Sequence, residues 1–327
     1  MAAIVPIVGG GPAGMSCALW LHNYGLRPLI IEKEPALGGM VRRNPYPDRS
    51  LLGRPAAHAR EHAEEFARHI RQAGIECWLG AEPARVRREA NGDFSLDMAA
   101  SDRRAPQPLQ CAAIVIATGT DFRGGEWLDR VKNGRRLAAA GRVHIGAPWA
   151  GEPGTELGSH VAIIGGGDNA FDVADFLLRK GVKATIVMRA KVPRAQMLLV
   201  ERVKAGVAGG LARVMTDRTV EALDEHGAGI RLRLNDGAEL VADHVVLTLG
   251  YRPNANGPWL AELALQQDRD GYLMVDAHME TSCRGIFAVG DVANTTHPCI
   301  ATALASGTTA AREIQIRLAS TSLLDPP

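Results

Sequence analysis

The feature that most constrains this chain is an internal repeat. Ile7-Val8-Gly9-Gly10-Gly11-Pro12-Ala13-Gly14 is answered by Ile163-Ile164-Gly165-Gly166-Gly167-Asp168-Asn169-Ala170, an offset of 156 residues. Without a gap, Gly25 then falls on Gly181 and Leu29-Ile30-Ile31 on Thr185-Ile186-Val187. Each copy reads as strand, glycine turn, amphipathic helix, glycine C-cap and second strand. A single glycine-rich turn is common. Two copies, each between a strand and a helix, predict two dinucleotide-binding domains.

The spacing has a physical meaning. The first glycine allows the tight turn, and the second lets the backbone approach a pyrophosphate. The third position, Gly14 or Ala170, lets the helix pack close to the strand. The helix N-terminus then offers free N–H groups and positive dipole to the phosphates. The copies differ at the end of the second strand. Glu32 is placed to accept a hydrogen bond from a ribose 2′-hydroxyl and to repel a 2′-phosphate. The second copy has Met188 there, followed by Arg189 and then Arg194, whose planar guanidiniums suit a 2′-phosphate. The first site therefore predicts an adenosine with a free ribose and the second NADPH, held by Gly165, Gly167, Asp168, Asn169, Ala170, Arg189 and Arg194. The expected fold class is α/β with two Rossmann-like, three-layer ββα domains.

Composition narrows the remaining classes. The chain has 327 residues, 46% hydrophobic and 22% charged, which are globular values and leave room for more than one domain. Its net charge of +1 supplies no field toward nucleic acid or anionic lipid, and aromatics are only 5%. No apolar run reaches the roughly 18 to 20 residues of a membrane span, and the opening Met1-Ala2-Ala3-Ile4-Val5 lacks the basic start of a signal peptide. A cytoplasmic protein is expected. Cys17, Cys77, Cys111, Cys283 and Cys299 form no CxxC and no metal-ligand spacing, so reduced thiols and no metal are expected.

Between the repeats, residues 57–73 read as a helix, and 77–79, 84–86, 94–98 and 111–117 as strands. After the second repeat, 213–216, 219–223, 230–234 and 244–249 read as strands, with Asn235-Asp236-Gly237 as a turn. Each half thus adds a small antiparallel element to a parallel sheet. Pro6 is awkward, because proline in a central strand loses a ladder hydrogen bond.

Five motifs in order, Gly9–Gly14, Ala117-Thr118-Gly119, Gly165–Ala170, Gly250-Tyr251-Arg252-Pro253-Asn254 and Gly285–Asp291, resemble the flavoproteins with two dinucleotide-binding domains. In length the chain is similar to the low-molecular-weight thioredoxin reductases and the ferredoxin/flavodoxin–NADP⁺ reductases of the same type. The resemblance implies FAD in the first site, held by Gly9, Gly11, Pro12, Ala13, Gly14, Glu32, Lys33, Gly39, Met40, Ala117, Thr118, Gly119, Gly290, Asp291, Ile300 and Ala301. Gly38 and Gly39 would form the loop beneath the flavin, Asp291 would bond the ribitol, and the helix from Ile300 would aim its N-terminus at the flavin N1/O2 edge. It also implies a discontinuous FAD domain, residues 1–119 and 250–327, with the NADP domain, 120–249, inserted at glycine-bearing crossings, and a homodimer.

The chain departs from thioredoxin reductases where they carry their dithiol. The corresponding segment offers only Ala147 and Ala150, or Pro148 and Gly151, and the alternative position after Gly39 reads Met40-Val41-Arg42-Arg43. Thiol–disulfide exchange needs a thiolate, so thioredoxin reduction by the usual dithiol route is not expected. The expected function is NADPH-to-FAD electron transfer onward to ferredoxin or flavodoxin. The alternatives are a small organic or dithiol acceptor, or a non-catalytic nucleotide sensor in which Pro6 and the lost CxxC are signs of decay. Tyr46 is a candidate aromatic cover for the flavin. Cys299 is a candidate redox or substrate-contacting thiol with His297 as its proton partner, set against the commoner fate of a free cysteine, inert packing.

Overall fold

The computed structural model describes residues 4–54, 57–99, 107–293 and 297–324. The chain divides into two compact units, one of residues 1–43, 47–121 and 252–327, the other of residues 44–46 and 122–251.

In the first unit a five-stranded sheet has the order Ile286–Ala288, Ile114–Ile116, Ile4–Val8, Arg27–Glu32, Glu76–Leu79, with every pair parallel. The second unit repeats the plan as Ala212–Met215, Lys183–Val187, His160–Ile164, His244–Leu247, Val143–Ile145, again parallel throughout. The central strands are runs of Ile and Val with both faces covered, which is why they do not alternate polar and apolar residues. Each unit also carries a three-stranded antiparallel element, Pro83–Arg88, Phe94–Met98 and Leu109–Cys111 in the first, Val220–His226, Gly229–Leu234 and Glu239–Ala242 in the second.

The sequence repeat is a structural repeat with the same offset. Ile4 pairs with Arg27 and His160 with Lys183, so the register is identical. The Gly9 amide donates to Ile31 at 2.8 Å, and the Gly165 amide to Val187 at 3.0 Å. The correspondence runs past the second strand. The Gly38 amide donates to the Gly10 carbonyl and the Arg194 amide to the Gly166 carbonyl, both at 2.8 Å and both 156 residues apart.

Pro6 costs the sheet little. The Gly9 amide faces the Arg27–Glu32 strand, while the Val8 carbonyl accepts from Ala117 on the other side. By alternation Pro6 also faces that other side, where pairing with Ile114–Ile116 begins only at Ile7 opposite Val115. Its absent N–H thus falls at the start of the partner strand, before the ladder begins.

Some boundaries differ from the sequence reading. Residues 111–117 do not form one strand. Leu109–Cys111 ends in the antiparallel element, and Ile114–Ile116 starts afresh in the parallel sheet, because the two lie in different sheets. The helix expected from 57 begins at Ala59, and the strand expected to reach 249 ends at Leu247. The strands Val143–Ile145 and Glu239–Ala242 and the helix Met197–Ala208 were not read from the sequence.

Candidate functional site

The first glycine turn separates two reasons for glycine. Gly9 has φ +115°, and a Cβ there would collide with the Ala117 carbonyl oxygen. A Cβ on Gly14 would collide with the Gly9 carbonyl. The protein itself demands both. Gly11 has φ −75°, which any residue adopts, and a Cβ there would meet no protein atom within 4 Å. The room it keeps lies at the start of helix Pro12–Asn23, which has proline in its first turn and no acid there. First-turn N–H groups such as those of Ala13 and Gly14 have no intrahelical acceptor. This is a cradle shaped for a pyrophosphate.

Around the cradle the expected residues converge. Glu32 is buried at the end of its strand, with Oε2 accepting from the Gly10 amide at 2.6 Å and Oε1 from the Glu34 amide at 2.9 Å. Two backbone bonds leave the carboxylate further lone pairs for a ribose hydroxyl. A Cβ on Gly39 would stand 3.1 Å from the Gly11 Cα, so the Gly38–Gly39 loop lies directly on the turn. Met40 is half-buried, whereas Lys33 is exposed. Thr118 donates through Oγ1 to the Asn254 carbonyl at 2.8 Å, and Asn254 returns bonds to Thr118 and Gly119 at 3.0 and 2.9 Å. Asn254 was legible only as the last residue of Gly250–Asn254, without this role.

The turn bearing Asp291 is fixed by the Gly290 amide, which donates to Ser306 Oγ at 2.9 Å. A Cβ on Gly290 would lie 2.8 Å from the Ala13 Cβ, so the turn sits against the cradle helix. Among the described residues the Asp291 carboxylate has no hydrogen-bond partner, and burial pushes its pKa above the usual 3.8. A half-buried acid without protein donors is open to donors from outside the protein. A sugar or ribitol hydroxyl would supply one. Helix Ile300–Leu324 crosses the cradle helix closely, with Gly307 against the Ala13 carbonyl and Ser16 Oγ donating to Leu304 at 2.8 Å. The first-turn N–H groups of Ile300 and Ala301 lack intrahelical acceptors.

Cys299 and His297 do not come together as a thiol–imidazole pair. The Cys299 thiol lies 3.4 Å from Thr302 Oγ1, and it is the backbone carbonyl of His297 that accepts from that hydroxyl, at 2.8 Å. Among the described residues the His297 ring makes no bond to the sulfur. The geometry is that of a capped helix start.

The second cradle repeats the first with different electrostatics. Gly165, φ +149°, would collide through a Cβ with the Thr248 carbonyl, while Gly167, φ −101°, would meet nothing within 4 Å. At the position of Glu32 stands the buried, uncharged Met188. Arg189 and Arg194 are exposed and, among the described residues, have no acidic partner. Asp168 does not face solvent freely. It accepts from the Gln196 amide at 2.7 Å and from Gln196 Nε2 at 3.0 Å, tying the arginine-bearing loop to the helix start. Asn169 donates to the Tyr251 hydroxyl at 2.7 Å, and Ala170 is fully buried.

Tyr46 is not a flavin cover. Its ring is buried in the second unit, edge-on to Phe176, and its hydroxyl donates to the Ala147 carbonyl at 2.6 Å. That bond fixes the 3₁₀ turn Ala147–Gly151, in which Ala147, Pro148 and Ala150 are buried. His144 stacks on Trp149 of the same turn with ring centroids 3.8 Å apart. All five cysteines are free, and none lies in this turn.

Residues 4–313 match the family described as pyridine nucleotide-disulphide oxidoreductase. The chain belongs to that family. It is an oxidoreductase with FAD and NADPH as its cofactors, and the two cradles fit them. It is 28% identical over 298 residues to a protein named ferredoxin–NADP reductase from Ignicoccus hospitalis, covering 88% of each chain. It is 29% identical over 330 residues to a glucosaminate ammonia-lyase of Pseudomonas fluorescens, covering 95% of this chain and 94% of that one. In fold it is similar to the thioredoxin reductase of Lactococcus lactis, with TM-score 0.81, 23% identity and coverage of 96% and 98%. No helix among the described residues is long and apolar enough to cross a membrane, and none of their side chains cluster as a metal site.

Proposed function

We propose that the protein takes hydride from NADPH onto FAD and passes the electrons from the flavin to a protein carrier of the ferredoxin or flavodoxin class. The observation that carries this reading is the turn Ala147–Gly151. Where a thioredoxin reductase keeps its dithiol, this chain has alanines and proline packed into the second unit and pinned by Tyr46. With no thiolate there, electrons leave from the flavin itself. The first unit binds FAD and the second NADPH, with Asp291 bonding the ribitol and Arg189 and Arg194 the 2′-phosphate. The protein works in the cytoplasm as a homodimer, without nucleic acid.

The similarity to a protein named as acting on glucosaminate gives a second reading, a small-molecule substrate at the same flavin. Of the two signs that favour the sensor alternative, Pro6 is accommodated at the start of a ladder, so it does not speak for decay. The test is anaerobic visible spectroscopy of the FAD-loaded protein. NADPH bleaches the flavin rapidly, NADH does so slowly, and added ferredoxin or flavodoxin restores the colour as it is reduced. Bleaching reversed by a small organic acceptor but by neither carrier favours the second reading, and no bleaching by either nucleotide overturns both.

A further inference from the structure

Directly after the Gly38–Gly39 loop, the chain changes character. Residues 42–54 contain four arginines and one acid, a charge of +3 in a chain whose total is only +1. Several exposed arginines elsewhere are paired, as Arg27 is with Glu76, Arg85 with Glu262 and Arg135 with Asp129. Within this stretch Arg54 is paired with Glu65 at 2.6 Å. Arg42, Arg43 and Arg49 are exposed and, among the described residues, have no acidic partner. At the tip of the same stretch Leu52 is 99% exposed.

The base of this loop is built, not loose. The Asp48 amide donates to the Ala57 carbonyl at 2.9 Å, and Pro47 bridges to His58. Behind it the Asp48 carboxylate stands 3.9 Å from Nε2 of His62, a fully buried ring that has no hydrogen-bond partner among the described residues. The root is therefore tied to helix Ala59–Gln72, whose Ala63 Cβ in turn lies where a Cβ on Gly38 would come within 2.9 Å.

We infer that the exposed Arg42, Arg43 and Arg49, together with the exposed Leu52 of the same stretch, form the docking surface for a small acidic electron-carrier protein. The inference rests on the carrier reading above. An exposed apolar side chain within a stretch of uncompensated charge of one sign is the composition of a transient electrostatic interface. Here the carrier brings the opposite sign. Placement beside the loop that lies on the flavin cradle puts the docked partner next to the electron source. A loop already fixed at its base loses less freedom on binding, which suits a contact that must form and release at every turnover.

The test uses the FAD-loaded protein with NADPH, an acidic ferredoxin, an acidic flavodoxin and, as a control, an uncharged quinone. The double variant Arg43→Glu/Arg49→Glu should lose at least about tenfold in kcat/KM for the carriers, with reduced dependence on ionic strength, and keep the quinone rate. Leu52→Asp should lose carrier activity in the same way. Equal carrier rates in wild type and variants would overturn the docking surface while leaving the carrier reading in place. A parallel loss with quinone would also overturn it, by showing that the stretch serves the flavin site. If the wild type reduces quinone but neither carrier, the carrier reading itself fails and takes this surface with it.

Discussion

The Arg194 amide donates to the Gly166 carbonyl at 2.8 Å. This bond ties the loop from Arg189 to Arg194 to the second glycine turn through backbone rather than side chain, and Asp168 reinforces it through Gln196. Both guanidiniums are thus left for a ligand.

That arrangement predicts cofactor discrimination. Arg189→Ala and Arg194→Ala should each raise the KM for NADPH by roughly tenfold or more, in line with about 1.5–3 kcal/mol for a hydrogen bond to a charged group. KM for NADH should stay unchanged. Steady-state kinetics with both nucleotides checks it, and an equal rise for NADH would mean the loop had moved.

Gly9 and Gly11 should respond oppositely to alanine. Gly9→Ala forces a Cβ into the Ala117 carbonyl at a φ of +115° and should cost about 3 kcal/mol or more. Gly11→Ala should leave the apoprotein as stable or raise it by roughly 0.5–1 kcal/mol, yet lose FAD affinity by about tenfold or more, because the methyl fills the pyrophosphate space. Urea unfolding of apoprotein and fluorimetric FAD titration separate the two effects.

Asp291→Asn should also split these readouts. Removing a half-buried charge that has no protein donor among the described residues should leave the apoprotein as stable or slightly more so. Loss of the ionic acceptor should weaken FAD retention, measured by dialysis against high salt.

Acid sensitivity should arise in the second unit. Burial, then the neighbouring His244 and Arg142, push the His144 pKa from 6.5 down to about 4. The unfolded chain therefore takes up the proton first, so this contribution to stability is complete above about pH 6.5 and is lost as pH falls toward about 4. His244 and His160 are shifted in the same direction. His144→Phe, which keeps a ring against Trp149, should flatten the decline in urea midpoint between pH 7 and 5.

Cys299→Ser should leave NADPH-driven turnover within about twofold of wild type, since the thiol is bonded to Thr302 in a helix cap and a hydroxyl can do the same. A tenfold loss would restore the thiol to the chemistry.

Gly9–Gly14 and Gly165–Ala170 were legible in the sequence because a glycine turn between a strand and a helix is a local requirement, written in consecutive residues. The same locality made the contrast of Glu32 with Met188 and Arg189 readable, since register over one βαβ unit is fixed by counting. The absent dithiol was equally plain. What counting could not reach were contacts between residues distant along the chain. Tyr46 looked like a cover for the flavin until its hydroxyl was found on Ala147, 101 residues away. Asn254 clasps Thr118 across 136 residues, and Ser306 holds the turn of Asp291 from a helix that follows it. That the protein's own packing demands glycine at Gly9 but not at Gly11 was also visible only in three dimensions. The repeat dictates where the chain must turn, but only the packed structure shows what stands opposite each turn: the Ala117 carbonyl for Gly9, and open space for Gly11.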